Sequence, residues 1–351
     1  MKRILFVTTQ YRVGERIYPI IPKLAEKYKI DLVKLYQMHP DWEWPGDDDL
    51  RKYFDDKYLN FFDNVYNNIN VDYSKYNLII TDDNRQYNGL ADLFYNRKCL
   101  LLACSHGVTD HGYEIHGKDR SFDGCFVFGK KEATEDHLIP AGIPANDRLE
   151  QYKNIDKKHI LVIINYLGNA GKVPTGNSKS LTFKSFGHHG FVDTHFKLFD
   201  KEIFDSMDLL RLQKKHNKPI VIKMKSRPNT NIELDTKYLK SVLDTNLNYK
   251  IVYDIENDNK LIAESAVVIS APSTLALKPI QLNIPTALII GTGQTGIFYD
   301  YKGLIEPSKD NFKRILDSKP ESSFIKNTVS GGHTFNSTDY FINYMEQVID
   351  G

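Results

Sequence analysis

The sequence predicts an α/β protein of two doubly wound lobes with a cleft between them. Three observations lead there. Continuous apolar runs of strand length alternate with segments of helical spacing, the pattern of parallel strands buried on both faces. That alternation runs from residue 3 to about 148 and then restarts at 159. The 351 residues are enough for two domains of ordinary size. The boundary is expected near 148–158, giving lobes over 1–150 and 151–351, with the last helix free to pack back on the first lobe.

The first lobe opens with RILFVT (3–8), a fully apolar strand, followed by a polar turn and by YPIIPKLAEKYKI with helical spacing. DLVKLY (31–36) and NLIITD (77–82) read as the next strands, separated by an aromatic-rich stretch of helical character. KCLLLACSHG (98–107) and GCFVFG (124–129) are two further strands. In the second half HILVIINY (159–166) is a buried strand, and FDKEIFDSMDLLRLQKKHN is a helix. PIVIKMK (219–225), YKIVYD (249–254), AVVISA (266–271) and PTALIIG (285–291) are four more strands, and STDYFINYMEQVID closes as a helix. In such folds the functional loops leave the carboxyl ends of the strands.

Composition narrows the class. A hydrophobic share of 41% with 26% charged residues is that of a globular protein, and no apolar run approaches the roughly 20 residues of a membrane span. MKRILFVTTQ reads as a first strand and not as a signal peptide, so a cytoplasmic protein is expected. Cys99, Cys104 and Cys125 suit neither a disulfide framework nor a thiolate zinc site, and packed reduced thiols are expected. A formal charge of +1 gives no global attraction to nucleic acid or anionic lipid.

The sharpest local signal is AVVISAPSTLALKPIQLNIPT (266–286). A strand ends at Ser270, a turn carries Pro272, Ser273 and Thr274, and a helix starts there. Hydroxyls and backbone N–H groups at a helix start suit an anion, and they equally suit a plain helix cap. KMKSRPN (223–229) leaves a buried strand with Lys225 and Arg227, which fit phosphate or a solvated turn. LGNAGKVPTGNSKS (167–180) carries Lys172 among glycines, without the order of a P-loop.

In the order ND-x-K-L-I-A-E-S-A-V-V-I-S-A-P-S-T, with a helix and N-I-P-T after it, the second lobe resembles GT-B glycosyltransferases, nearest to the branch of CDP-glycerol glycerophosphotransferases and capsule polymerases. The resemblance implies two Rossmann-like lobes and a nucleotide-activated donor, a nucleotide sugar or CDP-polyol. It implies that Ser270, Ser273 and Thr274 hold the donor's phosphates, with Lys225 and Arg227 as supporting cations; Lys172 is a further phosphate candidate from its own glycine-bearing loop, which equally suits a flexible surface loop. Where that family commonly has a ribose-binding glutamate, this chain has Lys278, and where it has a histidine before proline, this chain has Arg227. In GT-B enzymes a loop in the region of GTGQTG (291–296) contacts donor or acceptor, which offers Gly293, Gln294 and Thr295; apart from the resemblance, FGHHG (186–190) offers His188 and His189, which either face the cleft or simply lie in their loop. AGIPANDRL (141–149) resembles the lobe linker of these enzymes and of hydrolysing UDP-N-acetylglucosamine 2-epimerases. There Gly142 and Pro144 fix a turn and Asp147 caps the next segment, without a catalytic role.

The first lobe would supply the acceptor side. Its loop TTQYRVGERI offers Arg12, Gly14 and Arg16, and TDDNRQ offers Asp82 and Asp83. HGVTDHGYEIHG (106–117) begins directly after a buried strand. His106 is the candidate general base with Asp110 as its orienting carboxylate, while Gly107 and His111 line the acceptor loop. His106, His111 and His116 are five residues apart, which stacks nothing on one helical face, so no metal site is expected. The implied activity is metal- and cofactor-independent transfer of a glycosyl or polyol-phosphate group to an acceptor hydroxyl, on glycan, polymer or hydroxymethylated DNA. The alternatives are a UDP-sugar 2-epimerase-like enzyme and a non-catalytic nucleotide-sugar or glycan-binding protein.

Overall fold

The computed structural model describes residues 1–8, 17–34, 56–68, 70–82, 94, 97–105, 122–164, 180–183, 194–197, 199, 201–224, 232–253, 258–289, 296–307 and 310–351. The chain divides into two compact units, Met1–Glu150 together with Lys326–Gly351, and Gln151–Ile325.

The first unit holds seven parallel strands: β1 (Arg3–Thr8), β2 (Lys29–Lys34), β3 (Asn64–Tyr66), β4 (Leu78–Asp82), β5 (Leu100–Cys104), β6 (Gly124–Val127) and β7 (Leu138–Pro140), in the order β3-β2-β1-β4-β5-β6-β7. The order reverses between β1 and β4, the switch point where doubly wound sheets leave a crevice at their carboxyl ends. Period-2 alternation splits the apolar runs onto two faces. Ile4, Phe6, Ile30, Leu32, Leu78 and Ile80 enter one core, and Leu5, Val7, Val33, Ile79 and Leu101 the other. The first core is closed by the terminal helix Ser337–Asp350, which buries Phe341, Ile342, Met345 and Ile349 and stacks Phe341 on Phe126 at 4.1 Å.

Asp147 has another duty than capping its own segment. Its carboxylate accepts the backbone N–H of Ser337 at 3.0 Å and of Thr338 at 2.6 Å, so it caps the terminal helix from far along the chain. Gly142, at φ 72, lies against that same helix start, and a Cβ there would fall 2.3 Å from the Ser337 hydroxyl. At the amino ends of the strands Asp31 is fully buried, accepting from Arg3 at 2.8 Å, Asn64 at 2.9 Å and Tyr76 at 2.7 Å. These four tie β1, β2, β3 and the segment before β4 together at the end of the sheet away from the crevice.

The second unit repeats the plan. β8 (His159–Ile164), β11 (Ile220–Met224), β12 (Tyr249–Val252), β13 (Ser265–Ser270), β14 (Thr286–Ile289) and β15 (Leu304–Ile305) form a parallel sheet in the order β12-β11-β8-β13-β14-β15. An antiparallel pair, β9 (Ser180–Phe183) with β10 (Thr194–Lys197), is inserted after β8 and stands apart from that sheet. With the insertion removed, the order matches that of β3 to β6 in the first unit's sheet, with the reversal between β8 and β13 and no counterpart to β7. The helical segment expected over 199–217 is two helices, Lys201–Met207 and Leu209–His216. Asp208 between them adopts φ 48, which interrupts the first helix, and its side chain caps the second through the Arg211 N–H at 3.4 Å.

The aromatic-rich stretch expected to be helical is only partly so. Among its described residues, 56–61 are helical, but Asn64–Tyr66 is the edge strand β3. Three residues are too few to show a period, so tertiary pairing with β2 decides the outcome.

Candidate functional site

The second sheet's switch point is bounded by the carboxyl ends of β8 and β13. β13 ends at Ser270, which is fully buried and donates its hydroxyl to the Ala271 carbonyl at 2.8 Å. Ser270 therefore shapes the exit of the strand, and a contact from it to a ligand would require that bond to be given up. The chain then turns through Pro272 and Ser273 into a 3-10 turn, Thr274–Ala276, that runs on as the helix Leu277–Gln281. Ser273 stands at the cap position with extended backbone, φ −162 and ψ 162, and its side chain makes no capping bond. Its Oγ is buried and has no hydrogen-bond partner among the described residues. A hydroxyl at a helix start that does not cap the helix is a spare donor at the place where N–H groups also lack intrahelical acceptors.

The far end of that helix shows why the turn is fixed. Asn283 takes φ 56, its N–H bonds the Ile280 carbonyl at 2.9 Å, and the Ile284 N–H reaches back to Pro279 at 3.0 Å. This paired closure with a left-handed residue ends the helix sharply, and Pro285 leads into β14. Lys278 is partly buried one turn into the helix.

One strand over from β8, sequence reasoning passed over a charged pair. Lys223, next to last in β11, is 5% exposed, and its ammonium lies 3.2 Å from Oδ1 of Asp258 at the start of the helix Asp258–Ala263. The signal was the first lysine of PIVIKMK, flanked by Ile222 and Met224, where period 2 directs it at a covered sheet face. Register places Lys223 and Ser270 on the same level, each paired with Ile163 of β8 from opposite sides.

In the first unit β1 ends at Thr8, β4 at Asp82 and β5 at Cys104, and the Ser105 N–H donates to Phe126 at 2.9 Å. The backbone is thus fixed up to the residue before His106. His106, Gly107, Asp110, His111 and His116 lie outside the described residues. So do Arg12, Gly14 and Arg16, Asp83, Lys172, His188 and His189, Lys225 and Arg227, and Gly293, Gln294 and Thr295. Of the expected phosphate contacts, the described ones are Ser270 at the end of β13 and Ser273 and Thr274 in the turn after it. Among the described residues no group of three His, Cys, Asp or Glu is placed to hold a metal ion. None of the described helices is long and apolar enough to cross a membrane.

A further histidine, His333, stacks on Tyr340 at 3.7 Å in the segment that enters the terminal helix. Burial pushes its pKa down, against a backbone contact with Pro140 that raises it. Gly331 and Gly332, both at positive φ, shape the turn before it.

The sequence matches no protein-family model and no curated protein. Solved structures do match over the whole length. The Neisseria meningitidis UDP-GlcNAc 2-epimerase bound to UDP-GlcNAc has a TM-score of 0.58 at 12% identity, covering 98% of this chain and 100% of that one. The Methanocaldococcus jannaschii UDP-GlcNAc 2-epimerase has 0.57 at 12% identity, covering 98% and 100%. A Rickettsia africae glycosyltransferase has 0.52 at 10% identity, covering 100% and 99%. At such identities the likeness is one of fold, and with the two sheet orders it makes this chain a protein of the two-lobed GT-B fold.

Proposed function

We propose that this protein is a nucleotide-sugar enzyme whose second unit holds the diphosphate of a UDP-sugar at the turn Pro272–Thr274. The observation that carries the reading is the buried Ser273 hydroxyl, unpartnered among the described residues, at the start of a helix beside the strand-order reversal of a doubly wound sheet. Full-length likeness to proteins described as UDP-GlcNAc 2-epimerases supports the same ligand class.

Two reactions share this site's first requirement. Transfer to an acceptor hydroxyl breaks the bond between sugar C1 and the diphosphate oxygen. Inversion at C2, with no carbonyl beside that carbon, removes the C2 proton as the C1–O bond to the diphosphate breaks, forming a C1=C2 double bond, and a proton then adds to the opposite face of C2 as the diphosphate returns to C1. In both, charge grows on the leaving diphosphate, where fixed donors stabilise it. The structural likenesses favour a UDP-sugar 2-epimerase-like reaction. The run ISAPST, with its resemblance to phosphate-binding serines of GT-B transferases, favours the second reading, transfer with His106 as base; for a glycosyl group the C1–O bond breaks and the nucleoside diphosphate leaves, and for a polyol phosphate the phosphoanhydride bond breaks and the nucleoside monophosphate leaves.

Nuclear magnetic resonance of UDP-GlcNAc incubated with the protein in deuterated water separates them. The epimerase reading expects deuterium at C2 and a C2 epimer without any acceptor. The transferase reading expects UDP release only when an acceptor is added, and its loss in His106→Ala. A folded protein that neither binds nor consumes any nucleotide sugar would contradict both.

A further inference from the structure

Resting on that reading, we infer that Lys223 is a cation of the nucleotide-diphosphate site, held ready by Asp258 beneath the crevice. Lys223 is 5% exposed on a strand that is otherwise fully apolar in its described core positions. An ammonium has three donors, and among the described residues its charged partner is a single carboxylate oxygen at 3.2 Å. A buried ammonium with donors to spare is costly to the fold, and an arriving anion relieves that cost.

Its placement fits an anion at Ser273. Lys223 and Ser270 flank Ile163 on one sheet level, so their backbones stand two strand spacings, about 10 Å, apart. Both belong to the face whose inward residues are Val221, Ile163 and Val268. That face is covered by Ile262 of the helix that Asp258 opens and by Leu275 of the turn that Ser273 opens. The two helix starts and the lysine thus converge on the carboxyl end of β8 from one side. An extended diphosphate lying across that end meets Ser273 on one side and the Lys223 charge on the other.

A purely structural ion pair and a ligand cation respond differently to replacing both partners. Exchanging a buried pair for apolar residues leaves stability about unchanged, whereas removing one partner strands a charge. The test is calorimetric titration of the full chain with UDP and with uridine, in the wild type and in Lys223→Met/Asp258→Leu. The expected result is a double variant that unfolds at the wild-type temperature, binds uridine unchanged and binds UDP at least about tenfold more weakly, as for a lost charged hydrogen bond. UDP affinity equal to the wild type, or an equal loss for uridine, overturns the inference while leaving the proposed function standing. Absence of UDP binding by the wild type overturns the proposed function itself.

Should the double variant not fold, Asp258→Asn keeps the ammonium and removes its counter-charge. UDP should then raise the melting temperature by more than it does in the wild type. A shift equal to or smaller than the wild type's overturns the inference.

Discussion

A hydroxyl at the start of a helix either caps the helix or waits for something else, and Ser273 does not cap. Replacing a capping serine by alanine costs about 0.5–2 kcal/mol of stability. Ser273→Ala should therefore leave the melting temperature unchanged and weaken UDP binding by about tenfold or more, the worth of a hydrogen bond to a charged group. Unchanged UDP affinity in a calorimetric titration would remove Ser273 from the site. His159 serves the other end of the same sheet: its Nε2 lies 2.9 Å from the Leu261 carbonyl and 3.1 Å from the Ser265 hydroxyl, and burial lowers its pKa below 6.5. A lowered folded-state pKa means that the unfolded chain binds the proton more readily. The stability His159 contributes is present above pH 6.5 and is lost as pH falls below it. His159→Gln should flatten the fall of melting temperature between neutral and mildly acidic pH, and equal slopes in the two proteins would refute this. The serine turn was legible from hydroxyl chemistry after a strand, but Lys223 was not, because a lysine in an apolar run shows its role only once Asp258 is seen beside it.

The terminal helix carries the clearest prediction at the scale of elements. It supplies Phe341 to the first unit's core, in contact with a ring of β6. Phe341→Ala should cost about 3–5 kcal/mol, and Asp147→Ala about 0.5–2 kcal/mol through loss of the helix cap. Chemical denaturation of both variants checks the order of these costs, and an Asp147→Ala protein as stable as the wild type would show that the cap is redundant. The helix itself was legible from its apolar spacing, but its capping residue was not, since Asp147 and Ser337 are brought together only by the fold. Long central strands such as β1, β8 and β13 announced themselves because burial on both faces leaves few polar positions. The edge strands β3, β7 and β15 have two or three residues each, and pairing alone makes them strands.

For the whole molecule, two sheets that share one order over six strands explain why a chain with no matching family model still resembles GT-B structures from end to end. The order fixes where the winding of the sheet reverses, and therefore where ligands can enter, with almost no demand on the remaining sequence. Identity of 10–12% with the solved structures is compatible with that economy. Substrate choice rests on loop residues, and most of those singled out from the sequence, His106 foremost, lie outside the described residues. Every role proposed for the second unit depends on its binding a nucleoside diphosphate. Calorimetric titration of UDP into the folded full-length protein tests that binding most directly. Saturable one-site binding that weakens as uridine replaces UDP is the predicted result, and no heat of binding from a protein shown to be folded would contradict it.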